Sequence, residues 1–197
     1  MSIWIFIIPF VAINLCLLLI THFHELFPNR ADIIHPVFPY FDGGASISRT
    51  ARVFPTYLIF KPAMFLTSFL LVKYWIYNKS IVEYFDSNHK YLKKIIFFGV
   101  GSAILLTLHS IFLGIKFDND IYKLFRRVVM VSFIIFEIVA QTYLVLILYS
   151  LKNKLSLFIN NKILILKMIL VSILITVAII SIPILIMEGN KFLKHAL

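Results

Sequence analysis

Five apolar runs, each about 20 residues long, decide what this chain of 197 residues can fold into. They lie at about 3–21, 55–77, 95–115, 128–151 and 163–187. A helix of about 20 residues crosses the roughly 30 Å hydrocarbon core of a bilayer with all its backbone hydrogen bonds made internally. The expected fold is therefore all-α: a single-domain, polytopic membrane helical bundle of about five transmembrane helices, spanning 1–197. Composition excludes the soluble alternatives. The chain is 61% hydrophobic and 14% charged, with mean hydropathy +0.96. A soluble chain of this size leaves about a third of its unfolded surface in water and cannot hide that much apolar area. The single cysteine, Cys16, rules out an internal disulfide and cannot by itself make a thiolate zinc site.

The first run reads as a retained anchor rather than a signal peptide. No basic residue precedes it, and Leu19, Ile20, Thr21 and His22 offer no small-x-small cleavage pattern. The net charge of +10 comes from 19 Lys+Arg against 9 Asp+Glu. These cations flank the apolar runs, where they meet lipid headgroups, and form no single stripe of the kind that nucleic acid requires. The two connections at 78–94 and 152–162 share one side and hold lysines densely. The positive-inside rule then favours an internal N-terminus, with the loop at 22–54 outside or in a lumen.

Polar groups at membrane depth are costly and face protein or water rather than lipid. Glu137 lies midway along the fourth run, and Gln141 follows at i+4 on the same helical face. Lys61 lies near the start of the second run, His109 in the third and Asn14 in the first. At 1.5 Å rise per residue, Lys61 lies roughly 9 Å, His109 and Asn14 about 10 Å, and Glu137 about 15 Å below one surface. The expectation is a Lys61–Glu137 pair with His109 and Gln141 beside it, lining a small polar cavity. The competing reading has Lys61 snorkelling to the interface, His109 on a backbone carbonyl, and any ion pair fixing only helix register. Lys73 and Lys167, near span ends, read as snorkelling. Gly99 and Ala103 form a small-xxx-small face for close helix packing.

Motifs for catalysis are sparse. His22, His24, Glu25, Asp32 and His35 crowd the start of the first loop, but only His-x-His has ligand-like spacing, so neither a metal nor another cofactor is expected. Asp42, Gly43 and Gly44 form a turn rather than a phosphate loop, since no Gly-Lys-Ser/Thr follows. Ser46, Ser48 and His109 could form a nucleophile–base set, but no spacing rule supports it, and helix capping by the serines is the simpler reading. An enzyme is not the expected class.

The junction of the first loop with the second run is the most distinctive text. Ser46-Ile47-Ser48, then Pro55, then Phe60-Lys61 resembles the hallmark of the DRAM-like family of small polytopic membrane proteins, which includes the FRAG and PGAP (post-GPI-attachment lipid-remodelling) factors. Lys61 stands where that family has arginine, which keeps the charge and loses the planar fork. The resemblance covers about 1–150. It implies a noncatalytic role in membrane lipid homeostasis, with membrane lipids as partners, other membrane proteins as further ones, and Ser46, Ser48, Pro55 and Lys61 as a patch at headgroup level. Two rival classes are a small ion- or proton-coupled transporter using Glu137, Lys61 and His109, and a lipid-modifying membrane enzyme working from the first loop.

Overall fold

The computed structural model of the protein describes residues 2–29, 50–115, 120–155 and 160–186. Its long helices are α1 (Ser2–His22), α2 (Tyr57–Phe85), α3 (Leu92–Phe112), α4 (Asp120–Ser150) and α6 (Asn161–Ile186), with a single-turn α5 (Lys152–Leu155) between the last two. Five helices are long and apolar enough to cross a membrane, and there is no strand among the described residues. The chain is an all-α, multi-pass membrane bundle.

Two helices overshoot their apolar runs. α2 continues to Phe85, well past 77, and α4 begins at Asp120, ahead of 128. Apolarity sets where a helix enters hydrocarbon, while its ends are set by local polar contacts in the interface. Lys79 and Glu83 pair at i,i+4 with 3.3 Å between charged atoms, a weak support because both are exposed. At the other end the Tyr122 hydroxyl donates to the Phe112 carbonyl at 2.7 Å, pinning the start of α4 to the end of α3.

Consecutive helices run antiparallel, and side chains tie their ends. On one face, here the near face, His89 meets Ser150 at 3.0 Å and Lys154 donates to the Phe85 carbonyl at 3.1 Å. On the far face, Lys61 donates to the Ile111 carbonyl at 3.4 Å, and the Cys16 thiol to the Thr56 carbonyl at 3.4 Å. The Thr56 hydroxyl bonds the carbonyls of Thr50 and Val53, closing the turn that leads into α2. Gly114, at φ +93°, ends α3 in the left-handed conformation that favours glycine. A Cβ there would stand 3.3 Å from the Arg52 carbonyl oxygen.

α3 is the central helix. It buries Leu92, Ile95, Gly99, Ser102, Ala103, Leu106 and Ser110, a three-and-four spacing that draws one stripe along a helix. Leu71 and Trp75 of α2 and Ala140, Leu144 and Ile147 of α4 join it in one core. Gly99 makes the close approach possible: a Cβ on it would lie 2.3–2.7 Å from the Trp75 ring, which is itself 0% exposed. Buried hydroxyls elsewhere in the helices are satisfied by their own backbone, as at Thr67 to Ala63 (2.8 Å), Ser68 to Met64 (2.9 Å) and Ser110 to Leu106 (2.8 Å). α6 is peripheral, with only Leu164 and Val171 buried among its described side chains.

Gly99→Ala should destabilise the fold by about 1–3 kcal/mol, because the base of a fully buried indole cannot swing aside. Gly101→Ala should cost less, since it meets the outer ring atoms of half-buried Phe136 at 2.8–2.9 Å. Unfolding of the two purified variants in a denaturing-detergent titration checks this order; equal stabilities would contradict it.

Candidate functional site

The polar centre of the bundle is built on Glu137, midway along α4 and half-buried. Its Oε2 accepts from Ser102 Oγ of α3 at 2.7 Å and from Trp75 Nε1 of α2 at 3.4 Å. Its Oε1 accepts from Gln141 Nε2 at 2.9 Å, one turn along the same helix. A carboxylate at the bilayer centre costs about 3 kcal/mol on insertion scales. A hydrogen bond to a charged group contributes about 1.5–3 kcal/mol. The two short bonds from Ser102 and Gln141 are therefore enough to hold Glu137 without a cation in contact. Trp75 reaches the carboxylate because Gly99 lets its indole lie against α3.

The two directions out of this centre differ. Toward the near face the Tyr74 phenol interacts with Gln141 and Asn78, and Asn78 is anchored by donating to the Tyr74 carbonyl at 2.8 Å. Beyond them lie Tyr143 and Tyr91, with ring centroids 5.2 Å apart and Lys94 over both. Toward the far face the packing is apolar: Phe60, Met64 and Leu106 are buried together, with Phe133 against them. Lys167 of α6 is a cation on which the charge of Glu137 acts. Among the described residues the only ion pair within 4 Å is Lys79–Glu83, so Lys167 and Glu137 are not in contact.

Of the residues expected to form a site, the structure brings Glu137 and Gln141 together. It does not bring Lys61 to Glu137. Lys61 reaches across to the Ile111 carbonyl and lies 5.8 Å from the centre of the Tyr57 ring, at the far-face end of α2. His109 is also apart from the carboxylate: it is seven residues along α3 from Ser102, or about 10 Å at 1.5 Å per residue. It lies instead beside Arg126 of α4, where His109 Nδ1 and Arg126 Nε are both buried without a hydrogen-bond partner. Asn14 donates to the Phe10 carbonyl of its own helix at 2.7 Å. Ser46 and Ser48 lie outside the described residues, as do Asp32, His35 and the Asp42–Gly44 turn.

Depth along the membrane normal is readable from a sequence; azimuth about the helix axis and the choice of neighbour are not. That is why Lys61 and Glu137 looked like partners and are not. Ser102 and Trp75, the true partners, carry no polar signal stronger than ordinary helix packing. The small pair Gly99 and Ala103, which flanks Ser102, is the sign of close approach that the sequence carries. Lys167 is half-buried, and Glu137 is among the charges that act on it.

A second feature lies at the lipid boundary. A lateral groove of about 720 Å³ runs along α6 beside the end of α4. Its walls include Leu164, Met168, Ile169 and Ile173, with Tyr149, Lys152 and Asn161 at the near-face end. From Asn161 to Val177 it extends about 24 Å at 1.5 Å per residue. Lys152 lies over the Tyr149 ring, 4.8 Å from its centre, which keeps the ammonium at the mouth. Lys61, expected in a patch at headgroup level, is not among the residues that line this groove.

In a double-mutant cycle, Lys61→Met and Glu137→Gln should act additively on stability, within about 0.5 kcal/mol. Ser102→Ala and Glu137→Gln should be coupled by more than that, because they share one hydrogen bond. Coupling of Lys61 with Glu137 in thermal unfolding of the purified protein would contradict the geometry. Comparison with known proteins adds no relative, since no family model, curated protein or solved structure matches the chain.

Proposed function

We propose that this multi-pass membrane protein is a noncatalytic lipid-handling protein that holds a membrane lipid in the groove between α4 and α6. The observation carrying this reading is the groove itself: an apolar trough open to the side, with a cation, a phenol and an amide at one end. Apolar walls match an acyl chain, and Lys152 with Asn161 matches a phosphate or other anionic headgroup. The resemblance of the 45–61 segment to the DRAM-like family supports the same class of role. Membrane lipids are then the ligands, and other membrane proteins the further partners. Lys61 and Arg126, with His109 beside the latter, place two cations at the far face that suit headgroups of the opposite leaflet.

An ion- or proton-coupled carrier is the rival reading, and Glu137 favours it. A carrier needs a polar route to both faces. The polar side chains around Glu137 lead to the near face, and Phe60, Met64, Leu106 and Phe133 fill the other direction.

Ile169→Trp should fill the groove and cut the phospholipid that copurifies in mild detergent by about tenfold, equivalent to about 1.4 kcal/mol. Lys152→Ala should weaken the preference for anionic over zwitterionic lipid by several-fold, since one lysine at a membrane surface contributes about 1 kcal/mol. Native mass spectrometry of the purified protein reads both. Unchanged lipid occupancy in Ile169→Trp would overturn the reading.

A further inference from the structure

The hydrogens around Glu137 do not close in a single arrangement. Ser102 Oγ stands 2.7 Å from Glu137 Oε2 and 2.8 Å from the Gly99 carbonyl oxygen. A seryl hydroxyl has one hydrogen and two acceptor lone pairs. It can donate to the carboxylate or to the carbonyl, not to both. When Glu137 is ionised, Ser102 donates to Oε2 and leaves the Gly99 carbonyl to its helix. When Glu137 is protonated on Oε2, the acid proton is donated to Ser102 Oγ, and the seryl hydrogen turns to the Gly99 carbonyl. Gln141 donates to Oε1 in either state. Both protonation states are thus fully bonded with no heavy atom moved, and the exchange between them is a rotation of one hydroxyl.

We propose that Glu137 is a reversible proton-binding site in the middle of the membrane, loaded from the near face. The uptake is one proton from water onto Oε2, with the carboxylate becoming a neutral acid. The groups facing it are known from each helix around it. α2 supplies Trp75 and Tyr74, α3 supplies Ser102, α4 itself supplies Gln141, and α6 supplies Lys167, a cation on which its charge acts. α1 contributes apolar Ile5 to this core. Access is one-sided, because Gln141, Tyr74 and Asn78 carry polarity to the near face while the far side is packed with hydrocarbon. The inference does not depend on a lipid in the groove: it stands on the geometry of α2, α3 and α4.

The site contains its own reporter. The chain has two tryptophans, Trp4 near the start of α1 and Trp75, whose indole donates to the carboxylate. In the full-length Trp4→Phe protein, Trp75 emission should change with pH as a single-proton transition. The transition should vanish in Glu137→Gln, which keeps the shape and removes the titrating group. Ser102→Ala should move the transition to higher pH, because a carboxylate loses more than a neutral acid when a donor is removed. An infrared carboxylic carbonyl band that grows in acid in the Trp4→Phe parent and is missing in Glu137→Gln gives a second readout, independent of fluorescence. In vesicles of known orientation, a pH step on the near face should change emission promptly, and a step on the far face should not. A flat emission curve without an acid carbonyl band, a transition that survives in Glu137→Gln, or a prompt response from the far face would each overturn the proposal. Should Glu137→Gln fail to fold, the carbonyl band and the Ser102→Ala shift decide the matter in the parent background.

Discussion

The contact on which the bundle turns is the carboxylate of α4 meeting a hydroxyl of α3 and an indole of α2 at mid-membrane. In hydrocarbon there is no water to accept a misplaced polar group, so a carboxyl there must find donors inside the protein. Ser102, Trp75 and Gln141 are those donors. Two of them belong to different helices, so the charge fixes the rotation of α2, α3 and α4 about their axes at once. Packing alone, among helices whose faces are almost all apolar, specifies rotation weakly, since lipid tails and side chains are alike in polarity. A single buried polar cluster gives the register that apolar contacts leave loose. Gly99 is the necessary companion, because any larger residue would hold the indole off and break the triangle.

The cluster divides the bundle into unlike halves. On the near side, aromatic hydroxyls, amides and lysines line up from Gln141 to Lys94. On the far side, a plug of Phe60, Met64, Leu106 and Phe133 separates the carboxylate from the Lys61 and His109–Arg126 layer. Opposite charges on either side of such a plug gain little that would draw them together, while carrying either through it strips hydration from a charge. Lys61 instead stays within reach of the interface and takes the Ile111 carbonyl near the end of α3, a place that favours a cation.

Much of this architecture is legible in the residues before any coordinates. Apolar run length gives the number of crossings, and the observed spans agree with it apart from the polar extensions of α2 and α4. The i,i+4 placement of Glu137 and Gln141 is a local geometric fact and holds. The small pair Gly99 and Ala103 marks a tight interface, and both are buried against neighbours. What the sequence hides is lateral: which helix faces which, and which way each side chain points. Serine and tryptophan look unremarkable in an apolar helix, so Ser102 and Trp75 pass as packing. Lysines near span ends look interchangeable, yet Lys61 is spent on a carbonyl and Lys167 senses the buried acid. The Ser46 and Ser48 expectation lies outside the described residues and stays a matter of sequence.

α6 shows how the two features of the molecule are linked. It touches the bundle lightly, with Leu164 and Val171 buried and most of its length facing lipid. The same helix forms most of the groove wall and carries Lys167, whose charge is coupled to that of Glu137. The groove lies along that α4–α6 seam, between the helix that carries Glu137 and the helix that carries Lys167.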